Sequence, residues 1–205
     1  RVLGPEHPDT LAGRNNLATS YQDAGRSAEA ITLHQETLKV MERVLGPDHP
    51  TSHHSRNNLA MAYGAAGRYR DAIAPFKETL EAMARLLGPE YPTTLAIRHN
   101  LATAYGAVGR HVEAVAVFED TITLLDQVLG PEHPDTLGTR TNLAIAYRQL
   151  VRYSDAVALH EETLQLMNRV LGPDHPNTQV CRDTLANAYR AAGRNEDADA
   201  LLSGD

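Results

Sequence analysis

The chain has 205 residues, a formal net charge of -7 and a single cysteine. The acidic balance excludes a protein that gathers phosphates through a basic surface, so nucleic acid is not expected as a partner. One thiol, Cys181, rules out an internal disulfide and a cysteine-rich zinc site, which fits an intracellular, cytoplasmic protein, and no apolar run approaches the ~20 residues needed to span a bilayer.

The predicted elements recur. Leu3 to Pro8 is followed by Leu45 to Pro50, Leu87 to Pro92 (with Tyr91 in place of His), Leu129 to Pro134 and Leu171 to Pro176, each 42 residues after the last. A fixed period of this kind marks a stacked repeat. It divides residues 1–205 into repeats 1–42, 43–84, 85–126, 127–168 and 169–205 of one array with one continuous core. In the second copy Gly46 suits the left-handed end of a helix, Pro47 cannot continue one, and Pro50 is pre-set for the first position of the next, which makes His49 the expected cap. All but one of the 11 prolines lie in these five punctuations, so the stretches between them are read as helices.

The chain opens at Arg1-Val2-Leu3, where other copies have the last turn of a helix, and so reads as cut from a longer array. In the first repeat Pro8 to Ala24 is a helix, Gly25-Arg26 a tight turn and Ser27 to Leu45 a second helix. Leu17, Ala18 and Tyr21 share one face of the first helix, and Ile31, Leu38, Met41 and Leu45 one face of the second. The second repeat keeps the plan with Leu59, Ala60, Tyr63, Gly67-Arg68, Ile73, Leu80 and Met83. It adds Pro75, which is expected to kink its helix. The third has Leu101, Ala102, Tyr105, Gly109-Arg110, Val115, Ile122 and Leu125. In the fourth, Val151-Arg152 replaces Gly-Arg and an altered turn is expected. The fifth puts Asp199 where earlier repeats have Ile or Val, as suits the polar outer face of an array end. A pair of amphipathic helices cannot bury both apolar faces alone and needs its neighbours.

These residues resemble the tetratricopeptide repeat. The second repeat reads Arg56-x-x-Leu59-Ala60-x-x-Tyr63 and then Ala72-x-x-x-Phe76, and the third has Arg98, Leu101, Ala102, Tyr105, Ala114 and Phe118 at the same spacing. Arg stands where that family usually has Trp, and the usual period is about 34 residues. Both departures, with Asn15-Asn16-Leu17-Ala18 and Asn57-Asn58-Leu59-Ala60, are similar to the kinesin light chain-like branch. The resemblance implies an all-α fold: an α-solenoid, a right-handed superhelix of antiparallel helix pairs in five repeats, whose first helices line a concave groove. It also implies a non-enzymatic scaffold that binds a protein or peptide partner without a cofactor. Such arrays also resemble the repeat regions appended to bacterial signalling NTPases, where they act as sensor or partner-binding segments. No phosphate-binding Gly-rich loop ending in Lys-Ser or Lys-Thr occurs here, so this alternative, a sensor segment of a larger signalling NTPase, places the NTPase in a neighbouring domain.

Mapped residue by residue, the groove positions implied by the family are Asn15, Asn16, Thr19 and Gln22; His54, Asn57, Asn58, Met61 and Gly64; and His99, Asn100, Thr103 and Gly106. Repeats four and five add Thr141, Asn142, Ile145 and Arg148, then Asp183, Asn187 and Arg190. Asn16, Asn58, Asn100 and Asn142 form a ladder of amides, each with a donor and an acceptor for an extended peptide backbone. A bland alternative has these amides bonding neighbouring helices. Arg148 and Arg190 break the period and would favour an acidic segment. The periodic arginines from Arg14 to Arg182 face periodic carboxylates such as Glu36 and Glu162, which reads as ion pairing between helices. His7, His49, His133 and His175 stand one repeat apart, so they cap helices rather than converge on a metal. Self-association through terminal repeats is the structural alternative to peptide binding.

Overall fold

The computed structural model describes residues 3–203. Arg1 and Val2, expected as the tail of a helix, lie outside the described residues. Ten helices and no strand occur among those described: α1 Pro8–Asp23, α2 Ser27–Leu45, α3 Pro50–Ala65, α4 Tyr69–Leu86, α5 Pro92–Ala107, α6 His111–Val128, α7 Pro134–Gln149, α8 Tyr153–Val170, α9 Pro176–Ala191 and α10 Asn195–Ser203. They form an α-solenoid of helix pairs and group into two compact units, the N-terminal one ending at Val108 and the C-terminal one beginning at Gly109. Within each unit every helix packs against the next in sequence.

The punctuation works as its chemistry requires. Gly46, with φ 97, closes α2, and the ring of His49 caps α3 by accepting the Thr51 N–H on Nδ1 at 3.2 Å. His7, His133 and His175 make the same bond to Asp9, Asp135 and Asn177. Such a cap satisfies one of the N–H groups that the first turn of a helix leaves unpaired. Two residues into α3 and α7 a small hydroxyl reaches back to the turn: Ser52 Oγ donates to the Gly46 carbonyl at 2.7 Å and Thr136 Oγ1 to that of Gly130 at 2.9 Å.

The turn inside each pair is held in a second way. The Arg26 N–H donates to the Tyr21 carbonyl at 2.8 Å, and Gly25, with φ 74, supplies the left-handed residue between them. The Arg26 side chain then lies over the Tyr21 ring and bonds Glu29. Arg68, Arg152 and Arg194 repeat the stack on Tyr63, Tyr147 and Tyr189 and pair with Asp71, Asp155 and Asp197. The turn at Val151 was expected to change and does not. Val151 takes φ 63 and Arg152 N–H still reaches the Tyr147 carbonyl at 3.0 Å, because stacking and ion pair fix Arg152 from both sides. Pro75 lies inside α4, which runs from Tyr69 to Leu86.

Alanine sets the approach of the helices. Ala30, Ala72, Ala114, Ala156 and Ala198 are completely buried, as are Ala18, Ala60, Ala102 and Ala144. In the N-terminal unit Leu11, Met41, Leu59, Phe76 and Leu101 fill the core around them. In the C-terminal unit Leu137, Val157, Leu164, Met167 and Leu185 do so. Thr37, Thr79, Thr121 and Thr163 enter the same interior by giving their hydroxyl hydrogens to the carbonyl four residues back, at 2.6 to 2.8 Å.

Candidate functional site

In the N-terminal unit the first helices of three repeats stand side by side, α1 touching α3 and α3 touching α5. Ala18 of α1, Leu59, Ala60 and Tyr63 of α3 and Leu101, Ala102 and Tyr105 of α5 are buried, which leaves the opposite side of each helix to form a common surface. Gln22 of α1, Met61, Gly64 and Ala65 of α3, and Asn100 and Thr103 of α5 line an open cleft of about 260 Å³, floored by Tyr69 and Phe76 of α4. A Cβ on Gly64 would meet only the Tyr69 ring at 3.8 Å, so packing does not demand glycine there, and its absence widens the cleft. Met61 is 44 % exposed and gives the surface an apolar centre between polar ends.

The residues expected on this surface divide into two sets. Asn16, Thr19 and His54 are exposed, and Asn58, His99, Asn100 and Thr103 half-buried. Thr103 Oγ1 donates to the His99 carbonyl, which fixes its methyl and hydroxyl orientation at the cleft wall. Asn15 is different: it is buried, and its side-chain oxygen accepts from Ser55 Oγ and His34 Nδ1, both at 3.2 Å. Because an amide oxygen only accepts, His34 carries its proton on Nδ1 here. Asn15 therefore joins helices rather than facing a ligand, and the period shows why, since Leu11, Asn15 and Ala18 fall at i, i+4 and i+7 on the inward face. Asn57, one repeat on, is half-buried and donates to Met61 Sδ at 3.5 Å, holding that thioether in place.

In the C-terminal unit α7 and α9 are neighbours. Asn142, Ile145 and Arg148 are half-buried on α7, while Asp183, Asn187 and Arg190 are exposed on α9. Thr141 is buried with its hydroxyl on the Leu137 carbonyl at 3.0 Å, again the inward position of the repeat. Arg190 pairs with Asp199 at 3.4 Å, so the expected lone cation is partly neutralised, whereas Arg148 keeps enough field to disfavour charge on His160.

The periodic ion pairs are present in three repeats. Arg14 meets Glu36 at 2.7 Å, Arg56 meets Glu78 at 3.3 Å as well as Glu42, and Arg140 meets both Glu162 and Asp126. Arg56 and Arg140 are largely enclosed, with their carboxylate partners toward water. Sequence reasoning missed the buried histidines. His34 and His160 occupy the core position that Phe76 and Phe118 hold in the middle repeats, a substitution visible at the 42-residue spacing. Burial lowers the pKa of both, that of His160 to about 4. Burial also pushes the Cys181 thiol up to about 11, so at neutral pH it stays protonated beside His160 and is no thiolate nucleophile. Among the described residues no cluster of His, Cys, Asp and Glu is arranged to hold a metal, and no helix is long and apolar enough to cross a membrane.

The sequence matches the family model described as tetratricopeptide repeat over residues 9–85, 76–127, 93–166 and 139–203. Among solved structures, the nearly identical TPR-like repeats of a kinesin light chain-like protein of Podosopora anserina align at 33 % identity, covering 97 % of this chain and 94 % of that one, with a TM-score of 0.83. A point variant of the same repeats covers 100 % and 95 % at 31 % identity, with a TM-score of 0.85. BtubC (BKLC) from P. vanneervenii shares the fold at 21 % identity, covering 95 % and 78 %, with a TM-score of 0.79. A comparison with curated proteins gives no match.

Proposed function

Because the chain belongs to the tetratricopeptide repeat family, in its kinesin light chain-like branch, and such repeats are scaffolds for protein–protein interaction, we propose that it binds an extended or short helical segment of a partner protein along the outer face of its first helices. It does so without chemistry of its own, as a single array and as the partner-binding part of a larger cytoplasmic signalling protein. The observation that carries this reading is the cleft in which Gln22, Met61, Asn100 and Thr103 meet from three different repeats. It supports a ligand that lies across the helices and not along one. Met61 would seat an apolar side chain, and the amides of Asn58 and Asn100 would pair with the ligand backbone.

A diverse displayed peptide library tests it. Peptides enriched on the native chain and lost on a folded Met61→Asp, Asn100→Ala variant would support the reading. Enrichment that survives both changes would remove this face as the binding site.

A further inference from the structure

The formal charge is not shared evenly along the chain. Residues 1–108 hold 11 basic and 11 acidic side chains, whereas residues 109–205 hold 8 arginines, no lysine and 15 carboxylates, so the whole excess of -7 lies in the C-terminal unit. Within that unit α6 carries Glu113, Glu119, Asp120 and Asp126 and no Lys or Arg, and α8 carries Asp155, Glu161 and Glu162 against Arg169 alone.

These two helices border an opening. Each packs on α7, but among the described residues α6 and α8 do not touch one another, so the seam between them stays open. Ile122 of α6, Leu143 and Tyr147 of α7, and Ala158 and Leu159 of α8 line a hollow of about 450 Å³ there. Its rim is charged. Arg140 is held by Asp126 at 3.1 Å and Glu162 at 2.8 Å, and Arg152 by Asp155 at 2.6 Å and Glu119 at 4.0 Å. Each cation is matched by two carboxylates, and the rim keeps a negative excess. Asp120 adds to it. It is exposed and has no ion pair among the described residues, whereas Glu36, Glu78 and Glu162, at the same place in other repeats, each meet an arginine. An apolar floor inside an acidic rim repels acidic segments and attracts Lys and Arg, whose aliphatic stems also suit the floor. The cleft of the N-terminal unit has no charged residue in its lining, so the two surfaces select different ligands.

We propose that the seam between α6 and α8 docks a basic segment of a partner protein in which an aliphatic residue is flanked by Lys or Arg. The aliphatic side chain enters the hollow over Leu143 and Leu159. The flanking cations reach Glu119 and Asp120 on one bank and Asp155 and Glu162 on the other. A second copy of the chain fits less well, because its N-terminal unit has no net charge and its C-terminal unit repels its like.

The probe is a displayed peptide library with a fixed central Leu and flanking positions varied among Lys, Arg, Gln and Glu, selected on the whole chain. Peptides with Lys or Arg on both sides of the Leu are expected. One of them, fluorescently labelled and followed by anisotropy, should bind saturably and more weakly as salt is raised. Its binding should weaken about tenfold with Ala158→Arg, which closes the hollow, and with Asp120→Lys, which reverses the rim. Glu196→Lys makes the same change of charge on α10, and Met61→Asp alters the cleft of the N-terminal unit; both should leave binding within about twofold. Ala158 and Asp120 are exposed, so both variants should keep native helicity, and either one that does suffices. Selection of Gln or Glu at the flanks, or of nothing, would overturn the proposal, as would equal binding to the folded variants. An equal loss with Glu196→Lys would reduce the effect to net charge, and a loss with Met61→Asp alone would give the peptide to the cleft; either result overturns the seam as the site.

Discussion

The Tyr147 hydroxyl donates a 2.6 Å hydrogen bond to Glu119 Oε1 and so ties α7 to α6. Burial, then the bond to Glu119, pushes the phenol pKa up to about 12. The same ring carries the Arg152 guanidinium 4.0 Å from its centroid, so one side chain joins the helix stack to the turn that follows it. Tyr147→Phe keeps the ring and removes the bond. It should cost about 1 kcal/mol in urea unfolding, the usual net value for such a bond, with little change in helicity by circular dichroism. Glu119→Gln should cost less, because an amide still accepts.

Val151 holds a left-handed backbone, φ 63, at the position where Gly25, Gly67, Gly109 and Gly193 hold φ 71 to 82. A β-branched residue is strained there, by roughly 1–2 kcal/mol. Val151→Gly removes the strain and exposes no core, since Val151 is 67 % exposed. Added freedom of glycine in the unfolded chain offsets part of the gain. The expected result is a stabilisation of about 1 kcal/mol by chemical denaturation.

His160 makes stability depend on pH. The unfolded chain takes up the imidazole proton near pH 6.5, whereas burial, helped by Arg148, keeps the folded ring neutral down to about 4. Between those values the unfolded state holds more protons, so the stabilisation present above pH 6.5 is lost as pH falls through the window. The loss is on the order of 3 kcal/mol for one fully enclosed ring. His34, also lowered by burial, acts in the same direction. His160→Phe, the residue found at Phe76 and Phe118, should flatten the slope of unfolding free energy between pH 6.5 and 4. An unchanged slope would place the acid sensitivity elsewhere.

Much of the architecture was legible because strong local breakers recur in register. Gly46, His49 and Pro50 and their copies fix where helices stop and start, and the observed ends agree with the expected ones within a residue. One expectation failed for a tertiary reason: the Val151 turn kept its shape because Arg152 is held by Tyr147 and Asp155. On the candidate site the family mapping placed Asn15 and Thr141 on the outer face, although both are buried and the spacing of Asn15 from Leu11 and Ala18 puts it inside.

The most direct test of a partner site on the first helices is the amide NMR shift map of the isotopically labelled chain with one library-enriched peptide. The largest shifts are expected on Met61, Gly64, Asn100 and Thr103, with Leu17 and Tyr21 undisturbed. Shifts concentrated on Leu17, Tyr21 and Leu33, or on exposed positions of the second helices such as Glu78 and Glu81, would contradict a site in the cleft of Met61, Gly64, Asn100 and Thr103.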